Sequence, residues 1–334
     1  MAMMACVRRA VFLVVIVGAA GGCTSKRDDS NRLVNQALEK HAQGDVQTAK
    51  SKLQLAIATD ATNARAYRER AAILSKEGRP AEAIPDFEKA VDLNPDNPQW
   101  RYELAGKYWE IYRASAGHER ESYLPKIEEH VTKAIQRNGT LADYFLLRAR
   151  CRKALSAFKG AAQDYRKAID LDPINADPYL ELGRLYGLMW RILYRDDLFN
   201  LAEQALLTSS RLEELPNLPM ESEAVLPEMG FELGRLYAAK GDVEEDAGVA
   251  DGFFGKAISV FRSIDTDYRD RTELNLQLAQ VYQRRGDTQN ACTAAGEAIN
   301  SLGADSAGET RREYVISLGK EMCGVSPLGF DPNR

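Results

Sequence analysis

The 334-residue chain predicts an all-α fold built as a stack of helix–turn–helix units closed by one C-terminal helix. Three observations carry this. The phrase GRPAEAIPDFEKAVDLNPDN at residues 78–97 has a second copy, FKGAAQDYRKAIDLDPIN, at 158–175, and self-similarity at a distance marks a repeat architecture. Small residues recur where two helices would have to touch. Glycine and proline stand at the seams, glycine to release a helix and proline to stop one.

In order along the chain, the first segment is an export signal. Arg8 and Arg9 precede the apolar run Ala10–Ala20, which is too short for a bilayer span of about 20 residues. A basic start, an apolar middle and small residues have the pattern of a secretory leader. The run AAGGC, Ala19 to Cys23, resembles a bacterial lipobox, with Ala20 departing from the commoner leucine. That resemblance implies a diacylglycerol on Cys23, a leader of residues 1–22, and a tether at 23–29. Thr24 in place of aspartate implies an outer-membrane lipoprotein facing the periplasm. Ordinary signal-peptidase cleavage, giving a soluble periplasmic protein, is the alternative.

Residues 64–97 carry Tyr67, Ala71, Gly78, Ala83, Phe87, Ala90 and Pro95 at set offsets. Residues 142–175 carry Phe145, Ala149, Ala161, Tyr165, Ala168 and Pro173, and 272–305 carry Leu278, Ala279, Tyr282, Gly286, Ala291 and Ala298. This pattern resembles the tetratricopeptide repeat, whose period is about 34. The resemblance implies a right-handed α-solenoid of about seven units over 30–305, near 30–63, 64–97, 98–141, 142–175, 176–226, 227–271 and 272–305. The eighth position of the units reads Ala37, Ala71, Ala105, Ala149, Gly183, Gly234 and Ala279, because helices approach to about 8–10 Å only over small side chains. The twentieth reads Ala49, Ala83, Ile127, Ala161, Ala202, Ala257 and Ala291. Pro80 suits a first helical turn; Pro85 should cost one hydrogen bond and bend its helix. Segment 306–324 is expected as a capping helix, since an end unit cannot bury its own face, and 325–334 as a loose tail.

Composition excludes some functions. With 45% hydrophobic and 28% charged residues the chain has material for a core. A net charge of −5 without a basic run argues against nucleic acid, which needs clustered Lys and Arg. Removing the leader takes Arg8 and Arg9, leaving 42 of the 44 basic residues against 49 acidic ones. The remaining thiols of Cys151, Cys292 and Cys323 are too few for a disulfide scaffold. They read as small core residues, with a Cys292–Cys323 bond as the alternative in an oxidising compartment.

Catalytic signatures are thin. His41, His118 and His130 fall in different units, and His118-Glu119 lacks the second histidine of a zinc-protease helix. Neither a phosphate loop nor a nucleophile elbow occurs, so no catalytic, cofactor or metal residues are expected. In the tetratricopeptide family the first helices line the ligand groove, and the matching positions here are Arg68, Tyr102, Trp109, Arg150, Lys153, Arg184, Arg235 and Gln280. Three arginines at one register would suit an acidic, extended peptide; alternatively, each pairs with a helix carboxylate such as Glu181 or Glu232. The family's chaperone-binding clamp of Lys and Asn is absent. Three insertions, RASAGHERES, WRILYRDD and EEDAGVADGFF, either pack on one another through Trp190, Tyr194, Phe253 and Phe254 or offer a patch. The expected function is a lipid-anchored, non-enzymatic scaffold for envelope proteins. It resembles the lipoproteins that assist pilus, secretin or outer-membrane barrel assembly. The alternatives are a regulatory or docking subunit for an envelope enzyme or assembly machine and, disfavoured by the missing motifs, a soluble periplasmic enzyme.

Overall fold

The computed structural model describes residues 25–116, 118–213, 225–264, 270–302 and 309–323. The leader, Cys23 and the 325–334 tail lie outside them. Two compact units divide at Ala157 and Phe158. The first holds α1 (Lys26–Ala42), α2 (Val46–Thr59), α3 (Ala64–Lys76), α4 (Pro80–Leu93), α5 (Pro98–Ala114), a 3₁₀ turn (His118–Ser122), α6 (Tyr123–Arg137) and α7 (Ala142–Ala154). The second holds α8 (Phe158–Leu171), α9 (Asp177–Leu193), α10 (Asp196–Glu213), α11 (Val225–Val243), α12 (Ala247–Ser263), α13 (Arg271–Arg284), α14 (Thr288–Asn300) and α15 (Glu309–Cys323). Among the described residues there is no strand, and none of the helices is long and apolar enough to cross a membrane.

The residues at each helix end explain where it starts and stops. Asp45, Asn97, Asp246, Asp270 and Asp287 each accept a hydrogen bond from a backbone N–H in the first turn that follows, satisfying a donor the helix cannot. Gly44, Gly78 and Gly286 release α1, α3 and α13 with φ of 82°, 77° and 79°. At the same register Ser156 holds φ 59°, a left-handed conformation most side chains avoid. Pro80 opens α4 as expected, and α4 runs on through Pro85.

The small positions sit at the helix contacts. Ala37, Ala71, Ala105, Ala149 and Ala279 are fully buried, as are Ala49, Ala83, Ile127, Ala161, Ala202 and Ala257. Where glycine replaces alanine the approach is closer still. A Cβ on Gly183 would lie 2.7 Å from Leu206 Cγ, and one on Gly234 2.5 Å from the Phe261 ring. In the first unit one core joins Val34, Leu53 and Ile73; another joins Phe87, Leu104, Tyr108, Ile127, Val131 and Tyr144.

Two expectations change, and the open alternative for the insertions receives an answer. Ser25 is no part of a loose tether: its side chain accepts from Asp28 N–H while Asp28 accepts from the Ser25 backbone, so α1 starts inside 23–29. Cys292 and Cys323 are not both core thiols; they form a disulfide with Cα atoms 5.4 Å apart, tying α15 to α14, and Cys151 is the buried free thiol. Two of the insertions meet through Phe199, on which Trp190 packs at 5.5 Å and Phe253 at 5.7 Å, while Tyr194 is exposed.

Candidate functional site

In the first unit, Arg68 bridges α3 to α5. Its Nε and Nη2 donate to the two carboxylate oxygens of Glu103 at 2.9 and 2.7 Å, and Nη1 donates to Glu69 at 3.0 Å. The bidentate bond holds the Arg68 guanidinium well above its ordinary pKa, with Glu103 as the largest cause. Above this bridge opens a cavity of about 390 Å³, floored by Phe87 and walled by Ala72, Tyr102, Gly106 and Lys107. Tyr102 stacks on Tyr144 at 4.9 Å, and burial pushes its hydroxyl up to about 12. It is therefore a neutral phenol at any physiological pH.

Gly106 keeps this cavity open. A Cβ there would meet nothing within 4 Å, so the glycine answers no packing demand, and glycine inside a helix costs about 1 kcal/mol relative to alanine. Lys107 is paired with Glu110 at 2.5 Å. Lys76, on the rim, makes no ion pair with a described residue, which leaves it available to a ligand carboxylate.

The second unit holds a smaller cavity, about 100 Å³, between α9 and α11, lined by Gly183, Arg184, Gly187, Arg191, Glu232 and Arg235 among others. Arg184 contacts three carboxylates: Glu228 at 3.1 Å, Glu232 at 3.2 Å and Glu181 at 3.4 Å. Arg235 lies 3.8 Å from Glu232 and over the Phe231 ring. Pairing with helix carboxylates is what the geometry gives these two arginines. A guanidinium already shared among three carboxylates has little left for a peptide acid.

The eight predicted residues thus separate. Arg68 and Tyr102 meet in one cavity, Arg184 and Arg235 in another. Trp109 stacks on Tyr112 at 5.1 Å, outside the lining of the larger cavity. Arg150 and Lys153 are half-buried on α7, and Gln280 on α13; none of the three lines either cavity. Sequence reasoning missed Gly106, Lys76 and Arg191. Only Gly106 carried a signal, as a glycine inside a helix with no turn to make.

Among the described residues no group of three or more His, Cys, Asp and Glu could hold a metal ion. Cys151 donates to the Leu124 carbonyl at 3.3 Å, and burial pushes its thiol up to about 12, far from the thiolate that nucleophilic chemistry needs. What both cavities offer is shape and hydrogen bonding, suited to binding.

Comparison with known proteins gives the same architecture. The tetratricopeptide repeat profile matches residues 64–97, and a TPR repeat profile matches 153–189. A tetratricopeptide repeat protein from Parabacteroides merdae superposes with a TM-score of 0.55 at 14% identity, over 87% of this chain and 98% of that one; at that identity the likeness is one of fold. MamA from Desulfovibrio magneticus aligns at a TM-score of 0.48 and 15% identity, over 57% of this chain and 98% of its own. RNA polymerase II-associated protein 3 of Xenopus laevis is 24% identical over 189 residues, 57% of this chain. The chain spans about a quarter, 27%, of that relative's length.

Proposed function

Because the chain is a tetratricopeptide-repeat protein, we propose that it is a non-enzymatic adaptor that captures an extended segment of a partner protein in the α3–α5 cavity. The cavity carries the reading: it is apolar at its floor, Phe87, and walled by Tyr102, with Lys76 unpaired at its rim. It suits a segment that seats one large apolar side chain against Phe87 and Tyr102 and sets a carboxylate beside Lys76. An acidic peptide fits that description through Lys76, not through Arg184 and Arg235, which are engaged with carboxylates.

The place of action belongs to the same proposal. A chain with a lipobox-like AAGGC at Ala19–Cys23 and a Cys292–Cys323 disulfide suits an oxidising envelope compartment, where disulfides persist. The adaptor would be tethered to the outer membrane through Cys23 and face the periplasm.

Two experiments test this. Gly106→Leu grows into the cavity from a position where a Cβ meets nothing within 4 Å, so crosslinked capture of a partner from the native envelope should fall at least tenfold while helicity is kept; equal capture by Gly106→Leu would end the cavity reading. Cys23→Ser should move the protein from the membrane pellet to the soluble fraction and abolish palmitate labelling. Unchanged partitioning and labelling would remove the anchor.

A further inference from the structure

The end of α9 carries an exposed apolar run and a left-handed residue that is not glycine, the latter shared among the described residues only with Ser156 after α7. Ile192, Leu193 and Tyr194 are consecutive, apolar and 57%, 52% and 68% exposed. A soluble chain ordinarily avoids such a run on its surface. Tyr194 also holds a left-handed φ of 50°. At the comparable ends of α1, α3 and α13 glycine does that work. Tyrosine there stores local strain and loses apolar surface to water, so the turn alone does not account for the residue.

The α11–α12 turn adds to the same edge. Lys240 on α11 donates to Asp196 at 2.9 Å and pairs with Glu244 at 2.7 Å, tying the turn after α9 to the turn after α11. Val243 and Val249 stand exposed there, at 43% and 47%. Behind the turns Trp190, Phe199, Tyr237 and Phe253 pack edge-on or tilted against one another, so the edge is backed by an aromatic layer. Rigid apolar anchors, tyrosine above all, are what protein interfaces use.

Charge selects the kind of partner. The two turn segments, 191–197 and 240–246, carry six carboxylates, Asp196, Asp197, Asp242, Glu244, Glu245 and Asp246, against three cations, Arg191, Arg195 and Lys240. Lys240 and Arg195 are taken up by Asp196, Glu244 and Asp197. Glu245 is exposed and makes no ion pair with a described residue. An anionic bilayer would be repelled by this ring. We propose that this edge of the second unit docks a basic amphipathic segment of a partner protein, its aliphatic face on Ile192, Leu193 and Tyr194 and its cations beside Glu245 and Asp246. The surface shares no residue with the α3–α5 cavity, so the two proposals stand or fall separately.

The test titrates the full chain with a fluorescein-labelled amphipathic Leu/Lys helical peptide, read by anisotropy, with a Leu/Glu peptide of the same pattern beside it. The Leu/Lys peptide should bind and the Leu/Glu peptide should not. Tyr194→Gly should weaken binding at least tenfold while raising the thermal midpoint, because glycine relieves the left-handed turn; fold loss therefore cannot mimic the result. Glu245→Gln should weaken it about twofold to threefold, an effect erased by high salt. Gly106→Leu should leave it unchanged. The proposal is overturned if Tyr194→Gly binds like the parent, if the Leu/Glu peptide binds equally, or if Gly106→Leu abolishes binding. It is equally overturned if the edge instead takes anionic phosphatidylglycerol vesicles, or mediates self-association that Tyr194→Gly removes.

Discussion

At the scale of single residues, one substitution should have opposite signs at two helical glycines. Gly106→Ala and Gly234→Ala each gain about 1 kcal/mol of helix propensity. At Gly106 the new methyl group enters open space, so the gain stands and the protein is stabilised by about that amount. At Gly234 it would lie 2.5 Å from the ring of Phe261, itself buried, and overpacking a core costs about 1–3 kcal/mol. The Phe261 ring also packs against Phe231 at 5.8 Å, which limits how far it can yield. Gly234→Ala should therefore destabilise, by up to about 2 kcal/mol once the propensity gain is set against the overpacking. Urea unfolding followed by circular dichroism checks both; a stabilised Gly234→Ala would mean the α11–α12 approach is looser than drawn. The contrast also separates two reasons for glycine, close packing at Gly234 and an open cavity at Gly106.

At the scale of elements, what was legible depended on whether the cause was local. The alanines of the eighth and twentieth positions, the left-handed glycines and the opening prolines are local signals, and the helices follow them. Ser156 takes the glycine's place with φ 59°, but a serine does not announce that conformation. The polar run at 24–30 looked like a tether because its residues suit solvent. Ser25 and Asp28 stand three apart, however, and close a capping box that α1 then uses. With Asp28 and Asp29 in its first turn and Lys40 and His41 in its last, α1 also matches the helix dipole. The candidate site was half legible. Register put Arg68 and Tyr102 on facing helices and they do share a cavity. Whether an arginine was free was legible only in part: Glu181 and Glu232 stand three residues from Arg184 and Arg235, but Glu103 is 35 residues from Arg68 and Glu228 44 from Arg184. Nor could the insertions be resolved from composition, since the same aromatics serve packing, as Phe253 does, or display, as Tyr194 does.

At the scale of the whole molecule, an array of units must cover its last apolar face, and α15 does this with little material. Among its described side chains Val315 is the one fully buried aliphatic, set against Leu276, Ala298 and Ile299, with Ile316 and Leu318 half-buried beside it. So small a contact leaves α15 dependent on the bond between Cys292 and Cys323, 31 residues apart. Closing a loop of that length restricts the unfolded chain by about 3–4 kcal/mol in the entropic account, comparable with the burial of one or two aliphatic side chains. The envelope location proposed above is one in which that bond would persist. In a reducing one the cap would loosen first. Hydrogen exchange offers the check. On reduction with dithiothreitol, or in the Cys292→Ser/Cys323→Ser double variant, the α15 amides should exchange about several hundred times faster, the free-energy change above expressed as a ratio, while α9 and α10 keep their protection. Identical α15 exchange in oxidised and reduced protein would show that the cap holds by packing alone and that the bond does not bear on where the chain can work.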